Sequence, residues 1–222
     1  MLAVITTALA LLAAAACDIV LGPAPGASST GAAASRPGLD GLAVAAPRSM
    51  AGYKRERFPH WIHQGNGCDT RDVVLQRDGK NVVSTADCKI TSGTWYSVYE
   101  KKTFTDPRLI DIDHMVPLAN AWRSGADVWT DEQRSEFAND LVRPALIAVS
   151  ATTNRAKGDQ DPSQWRPANR GFWCEYAQRW IAVKHHWKLS VTTKEKSKLV
   201  EMLETCTWPS STAPTSATTP AA

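Results

Sequence analysis

The middle of the chain contains two short runs whose hydrophobic pattern predicts a pair of β-strands. Residues 109–118 read LIDIDHMVPL, in which apolar and acidic positions alternate. Such alternation is typical of a half-buried strand. Residues 145–150 read ALIAVS, a second run rich in β-forming residues. We expect the two runs to pair.

A short helix is predicted directly after the second run. Thr152 or Thr153 is expected to cap this helix, and the helix carries Asn154. Asp113 and His114 lie at the end of the strand predicted from the first run. The order strand, strand, helix is therefore expected to bring these three polar side chains to one cleft.

A small β-ribbon and one helix are predicted ahead of this unit. Asp69 or Thr70 is expected to cap the helix, and residues 77–80 to supply a turn. Residues 89–99 alternate enough to predict a pair of strands, with a turn at residues 92–93.

Helical patterns predominate in the other parts of the folded region. Residues 118–124 predict a short helix, and Thr130 is expected to cap another. Apolar residues recur at intervals of three and four in residues 173–187, which predicts an amphipathic helix with an aromatic stripe on the core. Thr192 or Thr193 is expected to begin the last helix.

Composition predicts one folded domain between two low-complexity ends. The ends are poor in aromatic residues and rich in Ala, Gly, Pro, Ser and Thr. We therefore assign residues 1–17 to a signal peptide, residues 18–50 to a disordered linker, residues 51–208 to the folded domain and residues 209–222 to a disordered tail.

The leader and the cysteines predict an oxidising destination. The apolar run at residues 2–16 is too short to span a bilayer and suits a signal-peptide core. Small residues precede Cys17, so the prediction is secretion, with lipid attachment through Cys17 as the alternative. A membrane is an expected partner only if the Cys17 thiol is lipidated.

Four cysteines remain after the leader, and they allow three disulfide pairings. Proximity along the sequence favours Cys68 with Cys88 and Cys174 with Cys206. Zinc binding is the rival interpretation. No pair has the short Cys-x-x-Cys spacing of a structural zinc site, so disulfides are the prediction.

The residues expected at the cleft suit phosphodiester hydrolysis. The carboxylate of Asp113 and the amide oxygen of Asn154 are hard ligands for Mg²⁺ or Mn²⁺. The imidazole of His114, free of the metal, can remove a proton from water near neutral pH. A net charge of +3 is only mildly basic and falls well short of the positive field of a tight non-specific nucleic-acid binder, but it is compatible with transient binding of DNA.

The same residues resemble the ββα-metal core of the HNH endonucleases, the His-Me finger proteins. The resemblance rests on residues 113–114, on the Val-Pro at residues 116–117 and on the run NRAKGD at residues 154–159. The longer string 112–161 resembles the GmrSD-type branch and its small secreted members. A thinner resemblance covers residues 53–206.

The resemblance implies a role for each matching residue. Asp113 and Asn154 would ligate the divalent metal, Mg²⁺ first, and His114 would be the general base. One departure matters, because many HNH proteins place in the second strand an Asn that positions the catalytic histidine, and residues 145–146 here are Ala and Leu. Either Asn139 or a backbone group takes that role, or the site is weaker.

Three cations are candidates for binding substrate phosphates: Lys157, Arg155 and Arg123. The alternative for each is an ordinary solvated helix face. The prediction as a whole is an α+β, disulfide-stabilised domain with a ββα-metal core, added helices and a small β-ribbon. We expect a secreted endonuclease that hydrolyses DNA, with RNA as the alternative substrate, and that needs no obligate protein partner. The rival is a non-catalytic extracellular binding module that retains the scaffold.

Overall fold

The computed structural model describes residues 38–207, and these mix helices with small antiparallel sheets. The helices are α1 (Thr70–Asp78), α2 (Leu118–Arg123), α3 (Asp131–Ala138), α4 (Ala151–Lys157), α5 (Trp173–His186) and α6 (Thr193–Leu203). The strands are β1 (His63–Gly65), β2 (Cys68–Asp69), β3 (Gly79–Ser84), β4 (Ile90–Ser97), β5 (Lys102–Phe104), β6 (Ile110–His114) and β7 (Leu146–Ser150). The predicted signal peptide, Cys17 and the tail lie outside the described residues.

The predicted pairing of the two central runs is confirmed. Strands β6 and β7 are antiparallel, and their register runs from Ile110 opposite Ser150 to His114 opposite Leu146. Every residue of β7 is buried, whereas Asp111 in β6 is only half-buried. Helix α4 begins at the residue after β7, so strand, strand and helix form one continuous unit.

The cap of α4 differs from the prediction. Ser150, not Thr152 or Thr153, is the N-cap, and its side-chain oxygen accepts a hydrogen bond from the Thr153 amide at 3.2 Å. Ser150 is also the last residue of β7, so the chain passes from strand to helix without a loop. This leaves Asn154 in the second turn of a short helix whose start is fixed by the strand pair.

The other predicted caps are confirmed. Asp69, Thr130 and Thr192 cap α1, α3 and α6, each in a reciprocal capping box with the residue three positions later. The long amphipathic pattern forms α5, which buries Tyr176 and Trp180 completely. Among the described residues, none of the helices has the length and apolar character needed to cross a membrane.

The β-ribbon was predicted with the wrong turns. Residues 90–97 form the single strand β4, which lies between β3 and β5 instead of folding back at residues 92–93. Gly93 allows the ring of Trp95 to pack against the backbone, because a Cβ atom at this position would lie 2.6 Å from that ring. The predicted turn at residues 77–80 is also wrong, since α1 continues to Asp78 and β3 begins at Gly79.

The predicted linker is too long at its C-terminal end. Leu39 is completely buried and Leu42 is 6% exposed. Val44 forms a parallel β-bridge with Val191, and the amide of Arg48 donates to the Arg123 carbonyl at 2.7 Å. The folded part therefore begins before residue 51.

Both predicted disulfides are confirmed, Cys68 with Cys88 and Cys174 with Cys206. The second bridge ties α5 to the residues that follow α6, and the two cysteines are 32 positions apart. Closing a loop of that length is expected to stabilise the fold by about 3.5 kcal/mol, through restriction of the unfolded chain. Replacing both Cys174 and Cys206 with alanine should lower the free energy of unfolding by that amount in urea. An unchanged unfolding midpoint would contradict this role.

Candidate active site

A cleft of about 400 Å³ lies at the end of β6, beside α4 and the N-terminal segment. Asp111, Asp113 and His114 come from β6, and Asn154 and Arg155 come from α4. Arg55, in a 3₁₀ turn at Arg55–Arg57, and Asp159, after α4, also line the cleft. We call this the polar cleft. The convergence of Asp113, His114 and Asn154 on one cleft agrees with the sequence-based expectation.

Strand alternation explains which side chains meet inside the polar cleft. Residues two apart in a strand point to the same face, so Asp111 and Asp113 face the same side of β6. The amide nitrogen of Asn154 donates to Oδ2 of Asp111 at 3.3 Å. Asp111 was not among the predicted site residues, although its spacing of two from Asp113 places both side chains on one face of a strand. Its side chain is 29% exposed, which makes it the more accessible of the two carboxylates.

Buried side chains from the protein interior bind the carboxylate of Asp113. Nζ of Lys157 lies 2.7 Å from both of its carboxylate oxygens, and the Tyr99 hydroxyl donates to Oδ2 at 2.5 Å. The Asp113 residue is 4% exposed, and Tyr99 is completely buried. Burial raises the pKa of Asp113 and the charge of Lys157 opposes that rise. Asp113 is thus a pre-oriented carboxylate whose negative charge is already balanced.

Lys157 does not reach the cleft, and this corrects its predicted contact with substrate. The residue has no exposed surface. Besides the Asp113 oxygens, its ammonium donates to the carbonyls of His114 at 2.8 Å and Met115 at 3.1 Å. Burial lowers the pKa of Lys157, and the Asp113 charge opposes that effect. Lys157 therefore fixes the end of β6 from the interior.

His114 leaves β6 on the other face from Asp113, and it still lines the cleft because the strand ends there. Its Nε2 lies 2.9 Å from the Ala138 carbonyl oxygen. The indole of Trp61 stacks on the imidazole, with ring centroids 5.4 Å apart and planes 16° apart. Burial lowers the pKa of His114 to about 3, so the ring is neutral near pH 7. A neutral imidazole can accept a proton, but a pKa this low also makes the ring a weak base. The support for His114 as a general base is therefore its position at the cleft and not its pKa.

Without an Asn in the second strand, His114 has other partners in the structure. A backbone group, the carbonyl of Ala138, contacts the ring directly. The Asn139 side chain acts indirectly, through the backbone on either side of Trp61. Its Oδ1 accepts a hydrogen bond from the Ile62 amide at 3.2 Å, and its Nδ2 donates to the Pro59 carbonyl at 2.8 Å. These bonds fasten the segment that carries Trp61. The end of α3 thus orients both the imidazole and the indole stacked on it.

The remaining predicted phosphate ligands differ in their availability. Arg123 is only 18% exposed and its guanidinium pairs with Asp159 at 2.6 Å, so the predicted free cation is engaged in an ion pair. Arg155 is 75% exposed, lines the polar cleft and lies 3.6 Å from Asp111. Arg55 also lines the cleft, and it was absent from the predicted set. Arg155 and Arg55 are therefore the accessible cations there.

The donor set of the cleft fits a hard divalent cation. Residues 38–207 contain no group of three or more His, Cys, Asp or Glu residues arranged to hold a metal ion. Mg²⁺, however, keeps several waters and is commonly bound by one or two carboxylates together with substrate phosphates. Asp111, Asp113 and Asn154 supply two carboxylates and an amide oxygen at one cleft. That set suits such an ion, and the assignment of Asp113 and Asn154 as its ligands stays a prediction.

Comparisons with known proteins agree with the sequence-based resemblance. A family model described as "GmrSD restriction endonucleases, C-terminal domain" matches residues 69–202. A protein of Arthroderma benhamiae named "Uncharacterized secreted protein" is 51% identical over 168 residues, which are 76% of this chain and 82% of that protein. No solved structure matches the chain. The segment matched by the family model includes every polar cleft residue named above except Arg55.

Proposed function

The chain belongs to the family of the C-terminal domains of GmrSD restriction endonucleases, and we propose that it is a metal-dependent endonuclease that hydrolyses phosphodiester bonds in DNA. The family supports a nuclease-related activity with nucleic acid as substrate. The protein is a secreted one, in agreement with its two disulfides and its secreted relative.

One observation carries the proposal. The strand pair β6–β7 and helix α4 gather two carboxylates, an amide and a neutral imidazole at one cleft, namely Asp111, Asp113, Asn154 and His114. A ββα unit that presents these groups has the composition of an HNH core. We therefore assign the HNH type of hydrolysis to this cleft.

In the proposed reaction the His114 imidazole removes a proton from a water molecule. The water oxygen attacks phosphorus, the bond between phosphorus and the 3′ oxygen breaks, and the departing oxygen receives a proton from solvent. The products carry a 5′ phosphate and a 3′ hydroxyl. The Ala138 carbonyl and the Trp61 indole hold the ring so that the proton-accepting nitrogen keeps its orientation.

Asp113 and Asn154 are the proposed protein ligands of a divalent cation, and Asp111 is a third oxygen donor beside them. When bound, Mg²⁺ or Mn²⁺ supplies positive charge to the scissile phosphate and the departing oxygen. Lys157 orients Asp113 and favours its ionised form, because its ammonium contacts both carboxylate oxygens. Arg155 offers an exposed guanidinium to a neighbouring phosphate.

Plasmid nicking tests this function directly. The purified protein should convert supercoiled plasmid to nicked circles in Mg²⁺ or Mn²⁺. EDTA should abolish nicking, and excess Mg²⁺ should restore it. Ends that accept a ligase without prior phosphorylation would confirm the 5′ phosphate. Nicking that persists in EDTA would contradict the metal dependence.

A non-catalytic binding module is the second candidate, and one observation favours it. The Asp113 carboxylate is already paired with Lys157, and the His114 residue is only 6% exposed. A protein with this second function would bind its partner without cutting nucleic acid. Absence of nicking in Mg²⁺, Mn²⁺, Ca²⁺ and Zn²⁺ would support the binding module and reject the nuclease.

A further inference from the structure

We propose that Arg55 is a substrate-binding residue that contacts a nucleic-acid phosphate at the polar cleft, beside His114. The proposal rests on the proposed nuclease function and deepens it. It adds a cationic contact from the N-terminal segment, which lies outside the part of the chain that the family model matches.

The location of Arg55 supports this role. Its side chain is exposed and lines the same cleft as Asp113, His114 and Asn154. An anion bound between the guanidinium and the imidazole would thus lie within the cleft where the proposed chemistry occurs.

The other cations near the cleft each have a partner within the fold, although Arg155 stays exposed. Arg123 pairs with Asp159, Arg155 lies near Asp111, and Arg57 lies over the Trp122 ring at 5.1 Å. Within residues 38–207, the Arg55 guanidinium makes no hydrogen bond or ion pair. Its charge has no structural partner there, so the fold does not account for a guanidinium at this position.

The backbone that carries Arg55 is held by packed aromatic rings on both sides. Phe58 is completely buried, and the Tyr53 ring packs against Phe58 and Trp122 at centroid distances of 6.3 and 5.8 Å. The 3₁₀ turn between these rings is therefore fixed relative to α2. An anchored backbone reduces the entropy lost when the side chain binds an anion.

Guanidinium chemistry matches the expected substrate. A planar guanidinium forms two parallel hydrogen bonds with a phosphate, and these are among the stronger hydrogen bonds in proteins. Three carboxylates also line the cleft, those of Asp111, Asp113 and Asp159, and they repel an approaching polyanion unless cations offset them. The charge of Arg55 offsets part of this repulsion while the ion pair between Asp113 and Lys157 stays intact.

The test compares Arg55→Ala and Arg55→Lys with Lys54→Ala, a control that removes the same charge from the adjacent exposed residue outside the cleft. Two measurements are made on the full chain: binding of a short fluorescein-labelled DNA duplex in Ca²⁺, and plasmid nicking in Mg²⁺. Arg55→Ala should weaken DNA binding by about tenfold or more. It should also reduce the slope of log K against log salt by about one.

Arg55→Lys should recover part of the binding, and Lys54→Ala should stay within about twofold of wild type. Equal losses in Arg55→Ala and Lys54→Ala would overturn the proposal, since they would indicate general electrostatic attraction. Unchanged binding in Arg55→Ala would overturn it as well.

The two measurements separate this proposal from the nuclease function. If the wild type binds the duplex but does not nick plasmid, the nuclease function fails and the Arg55 contact is still decided by the binding data. If the wild type neither binds nor nicks, both proposals are rejected. If Arg55→Ala weakens duplex binding but leaves nicking unchanged, Arg55 does not contact the substrate at the site of cutting, and the proposal is rejected.

Discussion

His114→Ala is expected to reduce the rate of plasmid nicking by about 10²–10⁴-fold, the usual contribution of a general base. The imidazole is neutral near pH 7, lines the polar cleft and is oriented by the Ala138 carbonyl and the Trp61 indole. No other described histidine lines that cleft. Alanine removes the proton acceptor and leaves the proposed ligands of the cation in place.

The matched control is His63→Ala, which removes an exposed histidine outside the cleft. This variant should nick plasmid at the wild-type rate. Circular dichroism and the melting temperature of His114→Ala establish that the variant is folded, since the ring is also part of an aromatic stack. Wild-type nicking by a folded His114→Ala would show that another group activates the water.

Lys157→Met is expected to lower the free energy of unfolding by about 3–5 kcal/mol, the usual cost of removing one partner of a buried ion pair. The Asp113 carboxylate would remain 4% exposed without its cation. The carbonyls of His114 and Met115 would also lose their hydrogen-bond donor. Methionine retains much of the volume of the side chain, so the loss reports on charge and hydrogen bonding rather than on a large cavity.

Lys194→Met, at an exposed position in the first turn of α6, is the control for this substitution and should leave the unfolding midpoint nearly unchanged. Urea titrations of the two variants give the comparison. A Lys157→Met protein as stable as wild type, but with weaker DNA binding, would instead support the substrate contact that the sequence suggested for Lys157.

The sequence predicted much of the local structure correctly. Alternation in residues 109–118 predicted β6, and the Thr130 and Thr192 caps follow from side chains that bond three residues ahead. The cysteine pairing also followed from proximity. The strand pair and the short helix after it then placed Asp113, His114 and Asn154 at one cleft.

Apart from the α4 cap and the turns of the β-ribbon, the failures concern contacts made across long stretches of sequence. The Nζ atom of Lys157 is buried against a carboxylate 44 positions earlier, and nothing in the local pattern distinguishes it from an exposed helix residue. Residues 38–50 resemble a linker in composition, yet Leu39 and Leu42 are buried in the core. Arg55 joins the cleft only because the N-terminal segment packs beside α2.

Asp111 was missed for another reason. Its neighbour Asp113 adjoins the histidine and matched the HNH pattern, so the second carboxylate on the same face of the strand received no role. The structure brings Asn154 into contact with Asp111, while Asp113 pairs with Lys157. Both carboxylates are therefore proposed oxygen donors to the cation.

An anomalous difference map from crystals soaked in Mn²⁺ tests that account most directly. The account predicts one strong peak in the polar cleft, within bonding distance of Asn154 and at least one of Asp113 and Asp111, with the His114 ring nearby but not ligated. A peak coordinated by His114 itself, or no peak in the cleft at saturating Mn²⁺, would contradict it.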